Sequence, residues 1–228
     1  MRKAVVLLSG GMDSSTLVHY VRRKLDVEEI HALTFVYGQK HAREREAAGW
    51  QAAAAQTYAH HTVDMTFFAA LIKGGGSALI DEAISVPDLA DLSAAQRDQP
   101  PTYVPNRNTV LLSLAAAYAE ARSITSVFYG AQIQDQYGYW DCTSTYLARL
   151  NELLLLNRRR PVGVHAPFLT MRKAEILRIG IELGVDYGRT WSCYRGHAPA
   201  CGTCPTCVER LQAFREVGQP DPLPYAAR

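Results

Sequence analysis

The sequence predicts an α/β fold, a doubly wound and mostly parallel sheet, on three observations. Short apolar runs alternate with segments of helical period along most of the chain. The first run, Ala4-Val5-Val6-Leu7-Leu8, contains no polar residue, the pattern of a strand buried on both faces. The period changes at Ser14, after which Leu17, Val18, Val21 and Leu25 fall on one side of a helix.

The remaining elements follow in order. Ile30 to Val36 is a second apolar strand, ended by the polar turn Tyr37-Gly38-Gln39-Lys40. An Ala-rich helix runs from about His41 to Tyr58, and His61 to Met65 is a third strand. Residues 66–105 break the alternation: Gly74-Gly75-Gly76, Pro87, Pro100, Pro101 and Pro105 predict loops with one or two short helices. Such an excursion suits a lid or binding loop, or a tolerated insertion. A helix from Thr109 to Ala121 and a strand from Ile124 to Tyr129 resume the pattern. Gly138 to Asn157 begins as a loop and becomes a helix, Val164 to Phe168 is a fifth strand, and Arg172 to Leu183 is a helix. A cysteine-bearing knuckle and a final helix near Pro205 to Val217 complete the chain. The expected division is an α/β domain over 1–190 with a segment 191–228 packed on it. Ligands of such sheets bind outside the carboxyl ends of the strands, so the loops after Leu8, Val36 and Tyr129 are the ones to inspect.

Composition bounds the function classes. The 228 residues suit one domain with a sizeable core, and 48% hydrophobic with 20% charged residues is ordinary for a globular chain. A net charge of +2 gives no global reason to expect a nucleic-acid partner. The run Arg158-Arg159-Arg160 reads as a solvated loop before Pro161. No stretch approaches the roughly 20 apolar residues that cross a bilayer. Arg2-Lys3 and the apolar run after it mimic a signal peptide, but Ser9-Gly10-Gly11 ends the run too early. A cytoplasmic chain with reduced thiols is expected.

Ser9-Gly10-Gly11-Met12-Asp13-Ser14-Ser15 joins the first strand to the first helix. Two glycines let the backbone approach an anion closely. The helix N-terminus adds free N–H groups and a positive dipole end. Ser14 and Ser15 add hydroxyls, and Asp13 suits an N-cap or a magnesium ion. No Gly-Lys-Ser/Thr is present, which excludes a Walker A loop, and the glycine spacing excludes a dinucleotide fingerprint. A plain strand-to-helix turn is the bland alternative.

Cys193, Cys201, Cys204 and Cys207 have the spacing C-x7-C-x2-C-x2-C, which wraps one tetrahedral ion. Two disulfides are disfavoured in a reducing compartment. An iron–sulfur cluster is the rival, and structural zinc is the favoured reading. The fifth cysteine, Cys142, reads as a small half-buried thiol.

The heptapeptide resembles the pyrophosphate loop of the N-type ATP pyrophosphatases. Three further segments narrow this: Tyr37-Gly38-Gln39-Lys40-His41, Tyr103-Val104-Pro105-Asn106-Arg107-Asn108 and Gly138-Tyr139-Trp140-Asp141-Cys142. With Thr190-Trp191-Ser192-Cys193-Tyr194, the knuckle and the tail Asp221-Pro222-Leu223-Pro224-Tyr225, the whole chain resembles the 7-cyano-7-deazaguanine synthases, the QueC family.

The resemblance implies an adenine nucleotide alpha hydrolase-like fold and the following chemistry. The carboxylate of 7-carboxy-7-deazaguanine attacks ATP to give an acyl-adenylate, and ammonia displaces AMP to leave an amide. A second ATP activates the amide oxygen, and loss of AMP gives the nitrile. Magnesium accompanies ATP, zinc is structural, and the protein is a homodimer with no membrane and no nucleic-acid partner. ATP would contact Leu8, Ser9, Gly10, Gly11, Met12, Asp13, Ser14, Ser15, Thr16, Leu17 and Val18. Asp13, Ser14, Arg107 and Asp141 would be catalytic, and Tyr37, Gln39, Arg107, Asn108, Tyr139 and Asp141 would bind substrate. Tyr37 or Tyr139 would stack on the flat deazapurine, Arg107 would hold a carboxylate or phosphate, and Asp141 would accept from a guanine-like edge. Arg107 and Asn108 equally suit a helix start, and Lys173 suits either a phosphate contact or a solvated first turn.

The family's usual Ser-Gly-Tyr-Pro-Asp-Cys-Arg reads Tyr137-Gly138-Tyr139-Trp140-Asp141-Cys142-Thr143 here. Trp140 for proline and Thr143 for arginine open a variant that stops at the amide or joins the acyl group to another amine, on a protein for example. A tRNA thiolase on the same loop would want a redox cysteine pair near the ATP site. A zinc-ribbon binding module would want an exposed basic face, for which Arg195, His197 and Arg210 are too few.

Overall fold

The computed structural model describes residues 2–39 and 42–226. Lys40 and His41 of the polar turn lie outside the described residues. Five parallel strands run in the order β3-β2-β1-β4-β5. They are β1 (Lys3–Leu7), β2 (Glu29–Val36), β3 (Ala59–Asp64), β4 (Ser126–Phe128) and β5 (Gly163–His165). Between them run α1 (Met12–Arg23), α2 (Ala42–Ala54), α3 (Thr66–Leu71), α4 (Ala94–Asp98), α5 (Arg107–Ala121) and α6 (Ser144–Leu154); α7 (Lys173–Glu182) and α8 (Pro205–Val217) follow. The strand order reverses between β1 and β4, where the expected ligand crevice lies.

Alternation along β1 builds both cores. Val5 packs with Leu33, Val127, Leu112 and Ala115 under α5 and α6. Ala4, Val6 and Leu8 face the other way, against Leu17, Val18 and Val21 of α1 and Ala48 and Ala52 of α2. Burying one leucine such as Leu112 contributes about 2 kcal/mol, so the two faces hold the sheet from both sides.

Element ends differ from expectation for local reasons. The second helix stops at Ala54, short of Tyr58, because Gln56 turns left-handed at φ 52° and Thr57 N–H closes on the Ala52 carbonyl. The fifth strand stops at His165, since Pro167 has no N–H to continue a ladder; Phe168 instead turns back into the core. The fourth helix-strand unit starts at Arg107, two residues early, released by left-handed Asn106.

The excursion at 66–105 carries α3 and α4. It delivers Phe68, Leu79 and Val104 to the α5 side of the sheet, and Ala78 and Val86 to a small core with Trp191, Cys193, Cys204, Cys207 and Leu223. Leu89 N–H donates to the Thr203 carbonyl (3.0 Å) and Arg195 pairs with Asp88 (2.6 Å), tying the excursion to the knuckle. Among the described residues, no helix is long and apolar enough to cross a membrane.

Candidate active site

One cleft opens at the carboxyl ends of β1, β2 and β4, lined by Ser9, Gly11, Asp13, Ser14, Tyr37, Arg107, Tyr129, Lys173, Tyr194 and Arg210 among others. Its first wall is the glycine loop. Gly10 has φ +87°, and a Cβ there would sit 2.2 Å from the Glu44 carbonyl oxygen on α2, so both conformation and space require glycine. The loop folds around two hydroxyls: Ser9 N–H donates to Ser14 Oγ (3.2 Å), Gly11 N–H to Ser9 Oγ (3.2 Å), and the two oxygens lie 2.9 Å apart. From β4, Gly130 passes the first turn of α1 so closely that its Cβ would meet Ser14 N at 3.4 Å.

Lys173, at the start of α7, reaches this corner. Its side chain is 9% exposed, with Nζ 3.5 Å from Asp13 Oδ2 and 2.9 Å from Glu209 Oε2. Burial alone would lower the lysine, but Asp13, Glu209 and Asp135 outweigh it and hold it well up, so the cation persists. Burial raises Asp13, with Lys173 opposing. It pushes Asp135 up to about 7, where Lys173 pulls down and Asp13 and Glu209 push up. Three carboxylates thus share one cation, and Asp13 Oδ1 is buried with no hydrogen-bond partner among the described residues. This is a corner that suits one further positive charge.

The other half of the cleft is aromatic. Arg107 Nη1 donates to Tyr37 Oη at 3.5 Å, with Tyr139 and Tyr194 close enough to stabilise its charge. Tyr139 Oη shares a hydrogen bond with Thr102 Oγ1 (2.7 Å). A planar cation among tyrosine rings is a site for a flat, anionic ligand.

The knuckle closes the cleft from the C-terminal side. Trp191 N–H donates to the Gly10 carbonyl (2.9 Å), and Thr206 Oγ1 donates to the Ser192 carbonyl (2.7 Å). The four sulfur atoms of Cys193, Cys201, Cys204 and Cys207 lie within 4.8 Å of one another. Zn–S bonds of about 2.3 Å give tetrahedral edges of about 3.8 Å, and Cys201 Sγ to Cys207 Sγ is 3.8 Å. Cys201 and Cys204 N–H groups donate to the sulfurs of Cys193 and Cys201 (3.4 and 3.3 Å), as thiolates require. Hydrogen bonds shared among Cys193, Cys204 and Cys207 draw the Cys193 thiol down and drive Cys207 up. Four sulfurs at these separations fit a structural zinc ion with no open position.

The profile of the family described as "Queuosine biosynthesis protein QueC" matches residues 3–218. The chain belongs to the QueC family. It is 42% identical over 229 residues to the 7-cyano-7-deazaguanine synthase of Nostoc punctiforme, covering 98% of this chain and 100% of that one. It is 43% identical over 230 residues to the enzyme of that name from Thermosynechococcus vestitus, covering 99% and 96%. An NMN synthetase from Francisella tularensis shares the fold at TM-score 0.54 and 12% identity, over 96% of this chain and 78% of that one.

In this QueC chain the residues expected from sequence come together unevenly. Asp13, Ser14, Tyr37, Gln39, Arg107, Asn108 and Tyr139 all line the cleft. Gln39, however, folds back on its own strand end: its Oε1 accepts from Tyr37 N–H (2.8 Å) and its Nε2 donates to the Phe35 carbonyl (3.0 Å). Asp141 is 2% exposed and stands behind the lining, where Oδ2 accepts from Asn108 N–H at the start of α5 (3.2 Å). Cys142 is buried, accepts from Asn108 Nδ2 (3.3 Å), and its thiol is pushed up by burial. Of the loop, Thr16, Leu17 and Val18 face α1's packing rather than the cleft.

Trp140 and Thr143 stand outside the lining too. Trp140 Nε1 donates to Tyr103 Oη (2.8 Å), and Thr143 Oγ1 caps α6 by accepting from Tyr146 N–H (3.1 Å). Arg210, counted above as a surface cation, is 1% exposed: it grips Asp221 through two bonds (2.8 and 3.0 Å) and donates to Thr190 Oγ1 (2.6 Å). Sequence reasoning missed Glu44, Asp135, Tyr194 and Glu209 as members of the site. Only Tyr194, quoted within a motif, had a local signal.

Proposed function

We propose that the chain is a 7-cyano-7-deazaguanine synthase that converts 7-carboxy-7-deazaguanine to the nitrile with ATP and ammonia, releasing AMP and pyrophosphate. The observation that carries this reading is the pairing of two unlike halves in one cleft: an anion-binding glycine loop beside Lys173, and a chamber of tyrosines around Arg107.

The roles follow from chemistry. The N–H groups of the first turn of α1, with Ser9 and Ser14, cradle the departing diphosphate, and Lys173 neutralises charge that grows on it. Asp13, whose Oδ1 has no partner among the described residues, would hold the magnesium ion that accompanies ATP and screens its phosphates. Tyr37 or Tyr139 stacks on the deazapurine, and Arg107 holds its carboxylate toward the α-phosphate. Asp141 acts from behind, fixing Asn108 and the first turn of α5 at the chamber wall. The zinc knuckle braces the loop through Trp191 and Gly10, and lacks an open position for chemistry.

Because Trp140 and Thr143 stand outside the cleft lining, their departure from the family pattern leaves ammonia as the acceptor in this reading, with no protein conjugate. The test is exchange of labelled pyrophosphate into ATP. Exchange that requires 7-carboxy-7-deazaguanine supports the acyl-adenylate; exchange indifferent to it overturns the reading.

A further inference from the structure

Tyr129 directly follows β4 beside the strand-order reversal, on the α5 and α6 side of the sheet. It lines the cleft with Leu7, Leu33, Leu111 and Cys142, an apolar end of the chamber. The residue is 4% exposed, and its hydroxyl is buried with no hydrogen-bond partner among the described residues. The neighbouring tyrosines differ. Tyr37 Oη accepts from Arg107, and Tyr139 Oη is bonded to Thr102. A buried hydroxyl without a partner is uncommon in folded proteins and calls for an explanation. It sits in the wall of a ligand cleft, where an incoming acceptor supplies one. Burial first, then the neighbouring Cys142, Tyr146, Asp141 and Asp135, raise the phenol well above its ordinary range, so it stays a proton donor.

We propose that the Tyr129 hydroxyl is a specificity-determining contact: it donates a hydrogen bond to an acceptor, a ring carbonyl or ring nitrogen, of the planar heterocycle seated in the aromatic half of the cleft. The assignment rests on the functional reading above and deepens it. Tyr129 is assigned to the heterocycle and not the nucleotide because its ring packs with the α5 and α6 cluster, whereas α1 and α7 pack on the other face of the sheet. A site with a buried donor rejects ligands that leave it unpaired, which gives the chamber discrimination that stacking alone lacks.

The test compares the zinc-loaded chain with its Tyr129→Phe variant, which keeps the ring and removes only the hydroxyl. Titration calorimetry measures 7-carboxy-7-deazaguanine and, separately, α,β-methylene ATP with magnesium; thermal melting is recorded without ligand. Expected are a loss of deazaguanine affinity of about ten- to a hundredfold, nucleotide affinity within twofold, and a melting temperature equal to or above that of the parent. Deazaguanine affinity within twofold overturns the assignment and points to a hydroxyl satisfied by water. A loss confined to the nucleotide, or a lower melting temperature, overturns it in favour of a nucleotide contact or a structural role. Failure of the parent chain to bind the deazaguanine at all overturns the functional reading and this assignment with it, whereas binding that survives the variant overturns the assignment alone.

Discussion

Lys173 Nζ and Asp13 Oδ2 face each other at 3.5 Å across the first turns of α7 and α1, and Glu209 of the knuckle helix completes the triangle at 2.9 Å from the same nitrogen. One ammonium thereby joins the glycine loop to the cysteine-bearing segment. Asp13→Asn keeps the size and removes the charge, while Lys173 retains Glu209. AMP formation should fall by about a hundredfold or more, with a melting temperature within a few degrees of the parent, as read by product chromatography and calorimetry. Full activity would remove Asp13 from the mechanism.

The glycine loop admits no side chain at its second residue. Gly10→Ala must hold φ +87° and clear the Glu44 carbonyl. A loss of about 2–5 kcal/mol is expected from left-handed strain and overpacking together, measured by urea unfolding. A variant as stable as the parent would mean that α2 yields at this contact.

The knuckle should carry one zinc per chain, read by elemental analysis on colourless protein. Brown protein containing iron would contradict the four-thiolate zinc assignment. Chelation or Cys204→Ser should lower the melting temperature and abolish pyrophosphate exchange together, since Trp191 and Glu209 anchor the loop from this segment.

Glu44 sets a pH dependence whose sign can be worked out. Burial holds its carboxyl up at about 8 against an ordinary 4.5, with Arg107 opposing. Between those values the folded chain keeps a proton that the unfolded chain has lost, so stability falls as pH rises through that window. Glu44→Gln has no proton to lose. Its melting temperature should decline less from pH 5 to 9 and exceed the parent's at the alkaline end; Asp135, raised to about 7, leaves a smaller residual slope of the same sign. Equal slopes for parent and variant would contradict a protonated carboxyl at half-buried Glu44.

Thr143 acts as a helix cap and Trp140 as a surface ring against Tyr146. Thr143→Ala should cost about 1 kcal/mol of stability without changing the product. A changed product would return these positions to the question of substrate choice.

What was legible in the sequence was what local chemistry dictates. The β1 loop could be read because Ser9, Gly10, Gly11 and Asp13 carry their backbone geometry with them, and the knuckle because four cysteines at short spacing have few other uses. The parallel alternation, and the burial of β1 on both faces, could be read from the apolar runs; the strand order could not. Other features depend on contacts that only folding makes. Gln56, a non-glycine in a left-handed turn, gives no signal for the end of α2. Arg210 looks like a surface cation until Asp221 and Thr190 surround it. Asp141 sits in a motif that suggests a ligand contact, and only the fold shows that its Oδ2 accepts from Asn108 N–H. Glu44 lies on α2 and Asp135 in the turn after β4, and tertiary packing brings each to the cleft.

The most direct measurement is mass spectrometry of the products formed from 7-carboxy-7-deazaguanine, ammonium, magnesium and ATP by the purified chain. The nitrile should accumulate with AMP and pyrophosphate, two ATP consumed for each nitrile formed. ADP and phosphate, or a reaction that ends at the amide with excess ATP present, would contradict it.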